Sequence, residues 1–335
     1  MLKTIGRGVV AAAAVSVVFL TAGCGGAGEP AADAEVGAPA DGELTAVTVS
    51  IPPSSFAAPM YLGVSEGIFE DAGFEVTLKP GTSMAEMMPL LMNGQAQYIF
   101  ADLHNTILAQ TEGMPIAVGA PIAVNAQDEP KQGFANLMVA EDSGIKELKD
   151  LEGKKIGTNS IDGQAQLDNT TYLESKGVDT SNIEWIAVPT QQAVAGLKQG
   201  QYDAITIAEP GGTLAMAEGG VRMIGSADAA MPSAPMFVLA AQTSYIEGDK
   251  EAAKRFQEAV TEANKLANTD REKVNASLAT FMKIPPELLA KTVLPTFAEA
   301  PFRPADSEQV VDRLKDHGIL ADDVTPDLAA LYPLQ

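Results

Sequence analysis

From Leu44 onward, short apolar runs alternate with stretches of helical periodicity, and this alternation constrains the fold more than any other feature of the chain. Neighbouring parallel strands need a crossover, and a helix is the usual one, so the pattern predicts βαβ units and mostly parallel sheets. The first run, Ala46 to Ile51, breaks at Pro52-Pro53, and Ser54 or Ser55 can cap a helix reaching Ile68. Phe74 to Leu78 reads as a second strand. Ser83-Met84-Ala85-Glu86 then gives a capping-box pattern ahead of Met87, Leu90 and Leu91. Ala96 to Ala101 is a third strand leading through Asp102-Leu103-His104-Asn105 into a helix, and Ile116–Ala120 and Ala135–Ala140 are further strands.

A similar series follows. Strands are expected at Lys155–Thr158, Ile183–Val188 and Asp203–Ile207, each with a helix behind it. Met236–Ala241 reads as a strand returning to the first series. The rest is helical, with segments at Lys250–Asn268, Arg271–Met282, Pro286–Leu294 and Asp306–His317. The predicted fold class is therefore α/β, with two doubly wound lobes and a helical C-terminal extension. One lobe is discontinuous, 44–142 plus 232–335, and the other is 143–231. Two crossings between lobes make a hinge suited to closing on a ligand.

Residues 1–23 read as an address. Lys3 and Arg7 precede an apolar run from Val9 to Leu20. That run of about a dozen residues is short of a membrane span and fits a cleaved signal peptide. The segment ends Leu20-Thr21-Ala22-Gly23-Cys24, which resembles the lipobox of bacterial lipoproteins, although Thr21 stands where that motif more often has Leu or Val. The resemblance implies lipidation at Cys24, the only cysteine. Residues 24–43 are small, acidic and rich in Pro and Gly, a composition that cannot bury enough surface to fold and reads as a disordered tether.

Removing residues 1–23 takes away two basic residues and no acid, moving the formal charge from −22 to −24. That balance excludes nucleic-acid binding and adsorption to anionic lipid, so membrane attachment falls to the lipid anchor alone.

Four stretches, taken together, resemble the nitrate/sulfonate/taurine-type substrate-binding proteins of ABC importers, a group that also holds thiamine-pyrimidine binding proteins. They are Ala58–Phe69 with Gly73–Val76 behind it, Met92–Tyr98, Ile145–Gly157 and Leu197–Ala204. The resemblance implies a type 2 periplasmic-binding-protein fold and a small-molecule ligand held in an interlobe cleft. It also implies a permease with its ATPase as partner, a monomer, no cofactor, and a place on the extracytoplasmic side of the cell membrane. The resemblance leaves nitrate, an aliphatic sulfonate or taurine as the alternative ligand, and a sensor or scaffold lipoprotein without transport would look the same in sequence.

In open α/β sheets ligands bind beyond the carboxyl ends of the strands, where helix N-termini offer free N–H groups. The candidate ligand contacts are therefore Ser54, Ser55, Phe56, Thr82, Ser83, Met84, Asp102, His104 and Asn105 in the first lobe. In the second they are Asn159, Ser160, Gln164, Thr190, Gln191 and Glu209. Ser54, Ser83, Asp102 and Thr190 read equally well as N-caps, His104 as a structural histidine, Glu209 as a first-turn charge and Phe56 as partly core. Met84, Met87, Met88 and Met92 follow helical spacing and read mostly as packing, and Trp185 as core or edge. The exits are rich in Ser, Thr, Asn and Gln, with no cation but Lys79. Neutral side chains beside Asp102, His104 and Glu209 favour a small polar, nitrogen-containing organic ligand over an anion, which usually meets an Arg clamp. Gly-x-Ser-x-Gly, Walker and His-Glu-x-x-His motifs are absent, and two histidines with one cysteine leave little for a metal site or a thiol nucleophile, so an enzyme is not expected. Yeast-type pyrimidine synthases share the implied fold but depend on a cysteine-rich segment that this sequence lacks.

Overall fold

The computed structural model describes residues 43–128 and 133–335. The signal segment, Cys24 and nearly all of the tether lie outside the described residues. The elements run β1 (Thr45–Ile51), α1 (Ala58–Ser65), α2 (Ile68–Asp71), β2 (Phe74–Pro80), α3 (Met84–Met92), β3 (Tyr98–Asp102), α4 (Leu103–Thr111), β4 (Ile116–Val124) and β5 (Ala135–Ala140). Then come β6 (Lys155–Thr158), α5 (Gln164–Ser175), β7 (Glu184–Ala187), α6 (Thr190–Lys198), β8 (Ala204–Ala208), α7 (Gly211–Glu218), β9 (Val221–Ser226) and β10 (Pro235–Gln242). The C-terminal part holds α8 (Thr243–Gly248), α9 (Lys250–Thr269), α10 (Arg271–Phe281), α11 (Pro286–Leu289), β11 (Thr296–Phe297), α12 (Glu308–Asp316) and α13 (Leu328–Leu331). Among the described residues, no helix is long and apolar enough to cross a membrane.

Two sheets organise these elements. The first has the order β11-β4-β10-β3-β1-β2 and the second β7-β6-β8-β5-β9. Each is mixed rather than mostly parallel. In the first, β1 runs parallel to β2 and β3, while β10 is antiparallel to β3 and β4. In the second, β6 is parallel to β7 and β8, while β5 is antiparallel to β8 and β9. Strands β5 and β10 each arrive from the other sheet, which sets their reversed direction.

The expected lobe boundary at 142/143 puts β5 in the first lobe, yet all its strand pairing is in the second sheet, with β8 and β9. A short, mostly apolar strand carries no label saying which neighbour it will pair with. The helix expected over Pro286–Leu294 is a single turn, and β9 and β11 were not foreseen from the sequence.

The first sheet packs Val47, Val49, Ile51, Ile99 and Leu239 into the main core with Phe256 of α9. The amphipathic α9 brings two buried amides to that sheet: Gln257 Nε2 donates to Gly119 O at 3.1 Å, and Asn264 Nδ2 to Pro121 O at 3.0 Å. Those carbonyls lie where the β4–β10 register shifts and the ladder leaves acceptors over. Separate apolar clusters lie on the second sheet, around Leu137, Val139 and Ile156 and around Met138, Ile205 and Leu197. Gly67 and Gly200, each just past a helix, have φ of 76° and 71°, the left-handed conformation the sequence reading requires there.

Candidate functional site

The two sheets meet at the carboxyl ends of β1, β3 and β8. At the β1 exit Ser54 makes no capping bond, and its hydroxyl turns back to Pro52 O at 3.4 Å. Ser55 is fully buried and donates its hydroxyl to Glu209 O at 3.3 Å, joining the exit of β1 to that of β8. The Phe56 ring lies 4.2 Å from Phe237, 4.3 Å from Phe134 and 5.4 Å from Phe100, so two strands of the first sheet and the crossing that leads to the second close around it.

At the β3 exit Asp102 caps α4, accepting from Asn105 N at 2.8 Å and Asn105 Nδ2 at 2.9 Å. This consumes the Asn105 amide locally. His104 is wholly buried, with Gln164 and the Asp162 backbone beside its ring. Burial holds the imidazole below the ordinary histidine range, opposed by the nearby Asp102 carboxylate and by Asp162 and Gln164 from the second-sheet side. A neutral imidazole offers one donor and one acceptor.

Helix α5 carries polar residues inward. Gln164 Nε2 stands 2.8 Å from both carboxylate oxygens of Asp168. Burial pushes Asp168 up to about 7; the Gln164 bond opposes that rise, and the charges of Asp102 and Asp228 add to it. Glu209 is also raised by burial. Its Oε2 accepts from Thr213 N at 3.2 Å and its Oε1 from Asn136 Nδ2 at 3.0 Å, while Asp228 lies near enough to repel it. The nearby cation is Arg271, whose guanidinium is held by Leu289 O at 2.8 Å and by Thr292 O. Asn136 Oδ1, Asn169 Oδ1, Thr213 Oγ1 and both ends of the Asn125 amide are buried without partners. A cavity of about 90 Å³ between Phe134, Asp228, Val124, Met236 and residues 293–296 opens beside this set. A larger one of about 400 Å³, along Asn268 and residues 296–302, contains none of the predicted residues.

The structure thus brings together Ser55, Phe56, Asp102, His104, Gln164 and Glu209. Asn105 joins them through Asp102, Ser54 turns back on its own loop, and the remaining predicted residues lie apart. Thr82 and Ser83 are exposed at the start of α3: Ser83 Oγ caps Glu86 N at 3.3 Å, and Glu86 reaches back to the Thr82 N–H and hydroxyl rather than to Ser83. Met84 packs on the main core. Asn159, Ser160, Thr190 and Gln191 are exposed, and Thr190 is the first residue inside α6 rather than its cap. Sequence reasoning missed Asp168, Asp228, Asn136, Asn169, Asn125, Arg271, Phe100, Phe134 and Phe237. Helix α5 did carry a signal: Gln164-Ala165-Gln166-Leu167-Asp168-Asn169-Thr170-Thr171 has no apolar stripe, and a helix polar all round is either loose on the surface or burying polar groups for a purpose.

Comparison with known proteins gives consistent results. The family described as NMT1/THI5-like matches residues 55–273, well over half of the chain. An Escherichia coli (strain K12) protein named for binding aliphatic sulfonates is 28% identical over 174 residues, which are 52% of this chain and 54% of that protein. A 4-amino-5-hydroxymethyl-2-methylpyrimidine phosphate synthase of Aspergillus parasiticus is 30% identical over 118 residues, 35% of this chain and 32% of the synthase. The chain thus spans between a third and about half of these relatives' lengths. Among solved structures, the periplasmic aliphatic sulphonate-binding protein SsuA of E. coli superposes with a TM-score of 0.67 at 21% identity, covering 84% of this chain and 95% of that one. The periplasmic nitrate-binding protein NrtA of Synechocystis PCC 6803 gives 0.69 at 15% identity, covering 87% and 86%. At these identities the likeness establishes the fold.

Proposed function

The chain belongs to the NMT1/THI5-like family, and on that premise we propose that it is an extracytoplasmic solute-binding protein that captures a small polar, nitrogen-containing organic molecule between two lobes and delivers it to an ABC-type permease. The observation that carries this reading is the buried polar set between the two sheets. Residues from β3, α4, α5 and the β8 exit converge there, with Asn136 and Asn169 still holding unpartnered polar atoms. Such atoms cost free energy unless a partner arrives, and a bound solute supplies one. The lobes follow the two sheets, with crossings that include residues 125–128 and 133–134 on one side and 227–234 on the other as the hinge, and the solute favours the closed arrangement. Sulfonate and nitrate, bound by the relatives of those names, suit a site with four nearby acids and one cation less well than a molecule bearing N–H groups.

The test is a thermal-shift screen of the purified protein against amines, aminopyrimidines, flat heterocycles, sulfonates, taurine and nitrate. The expected result is stabilisation by one nitrogenous class, with the solute recovered unchanged by mass spectrometry. Stabilisation only by a partner protein would exclude transport, and chemical conversion of the solute would make it a synthase like the fungal relatives.

The Cys24 lipid anchor and the cell-membrane location are part of the same proposal. Fractionation of bacteria producing Cys24→Ala should find the protein in soluble fractions, against membrane-bound wild type. An unchanged membrane fraction would remove the anchor from the proposal.

A further inference from the structure

The charge of the solute is written in the groups it must meet, and this step rests on the solute-binding reading. Asp168 is 4% exposed, and the groups that act on it are Gln164, Asp102 and Asp228, none of them a cation. Asp228 is already satisfied by two backbone N–H groups, Asp102 by Asn105, and Glu209 by Thr213 and Asn136. Asp168 holds only one amide nitrogen, shared between both its oxygens. Independently, Asn136 Oδ1 and Asn169 Oδ1 are buried acceptors with nothing to accept, and His104 is fully buried beside Gln164. The ring cluster shares these segments: Phe237 pairs across from Asp102, Phe134 donates its N–H to Asp228, and Phe56 follows Ser55. Among the described residues no group of three or more His, Cys, Asp or Glu could hold a metal ion.

We propose that the solute is a small organic cation, an ammonium or amidinium-type molecule, whose charged nitrogen is anchored by Asp168 in the field of Asp102 and Asp228, with the Phe56 ring cluster against its apolar part. A buried carboxylate without a cation is a receptor for one, and an aromatic face adds attraction for it. An acceptor-only anion would meet like charge and leave the open acceptors of Asn136 and Asn169 unserved.

The experiment is calorimetric titration of the purified protein at pH 8 with choline, agmatine and spermidine as cation probes, and with ethanesulfonate and nitrate as anion probes. At least one cation is expected to bind, Asp168→Asn to weaken it about 100-fold or more, and Glu184→Gln, on the exposed edge strand, to leave it unchanged. A second readout needs no variant. Choline keeps its charge at every pH, so its affinity for wild type should fall about tenfold per unit below pH 7 as Asp168, facing Asp102, Asp228, Gln164 and neighbouring His104, takes up a proton. Anion binding that Asp168→Asn leaves intact or strengthens overturns the cation and leaves solute binding standing. Binding by no probe of either class overturns both.

Discussion

Asp228→Ala should lose about 3 kcal/mol of stability, the largest loss expected from any single side chain outside the apolar core. Asp228 is buried in the second crossing between the sheets and holds the first crossing at three points. Its carboxylate accepts from Phe134 N and Ala135 N, both at 2.6 Å, and its carbonyl accepts from Ala126 N at 2.6 Å. Alanine keeps the carbonyl bond but strands two N–H groups, each costing about 1–3 kcal/mol when buried without an acceptor. Relief of repulsion with Asp168 and Glu209 returns part of this. Relaxation is blocked, because a Cβ on Gly133 would already fall 1.7 Å from Ser226 Oγ, so the chain here cannot shift inward to find another partner. For a chain of this size the loss corresponds to roughly 5 °C in melting temperature. Asp228→Asn should fall between, since one amide oxygen still accepts. Urea unfolding decides the matter, and a loss under about 1 kcal/mol would mean that water reaches the freed N–H groups.

The same crossing explains where the sequence stopped being legible. Period and punctuation placed β1, β2, β3, β6, β8, β10 and the long helices, because each carries its signal locally: Pro52-Pro53 after a β-branched run, or the strong apolar face of α9. Pairing is not local. Strand β5 is a mostly apolar run interrupted by Asn136, and only its partners β8 and β9 assign it to the second sheet. The site followed the same rule. Of the residues named beyond strand ends, Ser55, Asp102, His104 and Glu209 lie in the buried polar set between the sheets, at positions that follow from the topology of an open α/β sheet. Looking there also returned Thr82, Thr190 and Gln191, because a polar residue at an exposed helix start looks identical until burial separates the two. Asp168 lies one turn inside α5, where strand-exit reasoning does not reach, and the three phenylalanines around Phe56 come from β3, β10 and the first crossing. That convergence exists only in three dimensions.

Asp168 also predicts an unusual pH dependence for the ligand-free protein. In the fold its carboxyl keeps a proton up to about 7, against 3.8 for an ordinary aspartate. Between those values the folded protein binds more protons than the unfolded chain, so Asp168's contribution is fully present below about pH 4 and is lost as pH rises through 7. Roughly three pH units at 1.36 kcal/mol each give a loss on the order of 4 kcal/mol. Glu209, raised by burial, acts with the same sign. His104, lowered by burial, acts oppositely, gaining as pH rises toward its unfolded value. The clean readout is therefore the difference between wild type and Asp168→Asn, whose amide has no proton to lose. Urea unfolding should give nearly equal stabilities at pH 4.5, with the variant pulling ahead by several kcal/mol at pH 8.5. Parallel curves would show that Asp168 ionises freely and that its pocket is wet. A bound organic cation should restore stability at pH 8.5 in wild type alone, because its charge takes the place of the proton that Asp168 has given up.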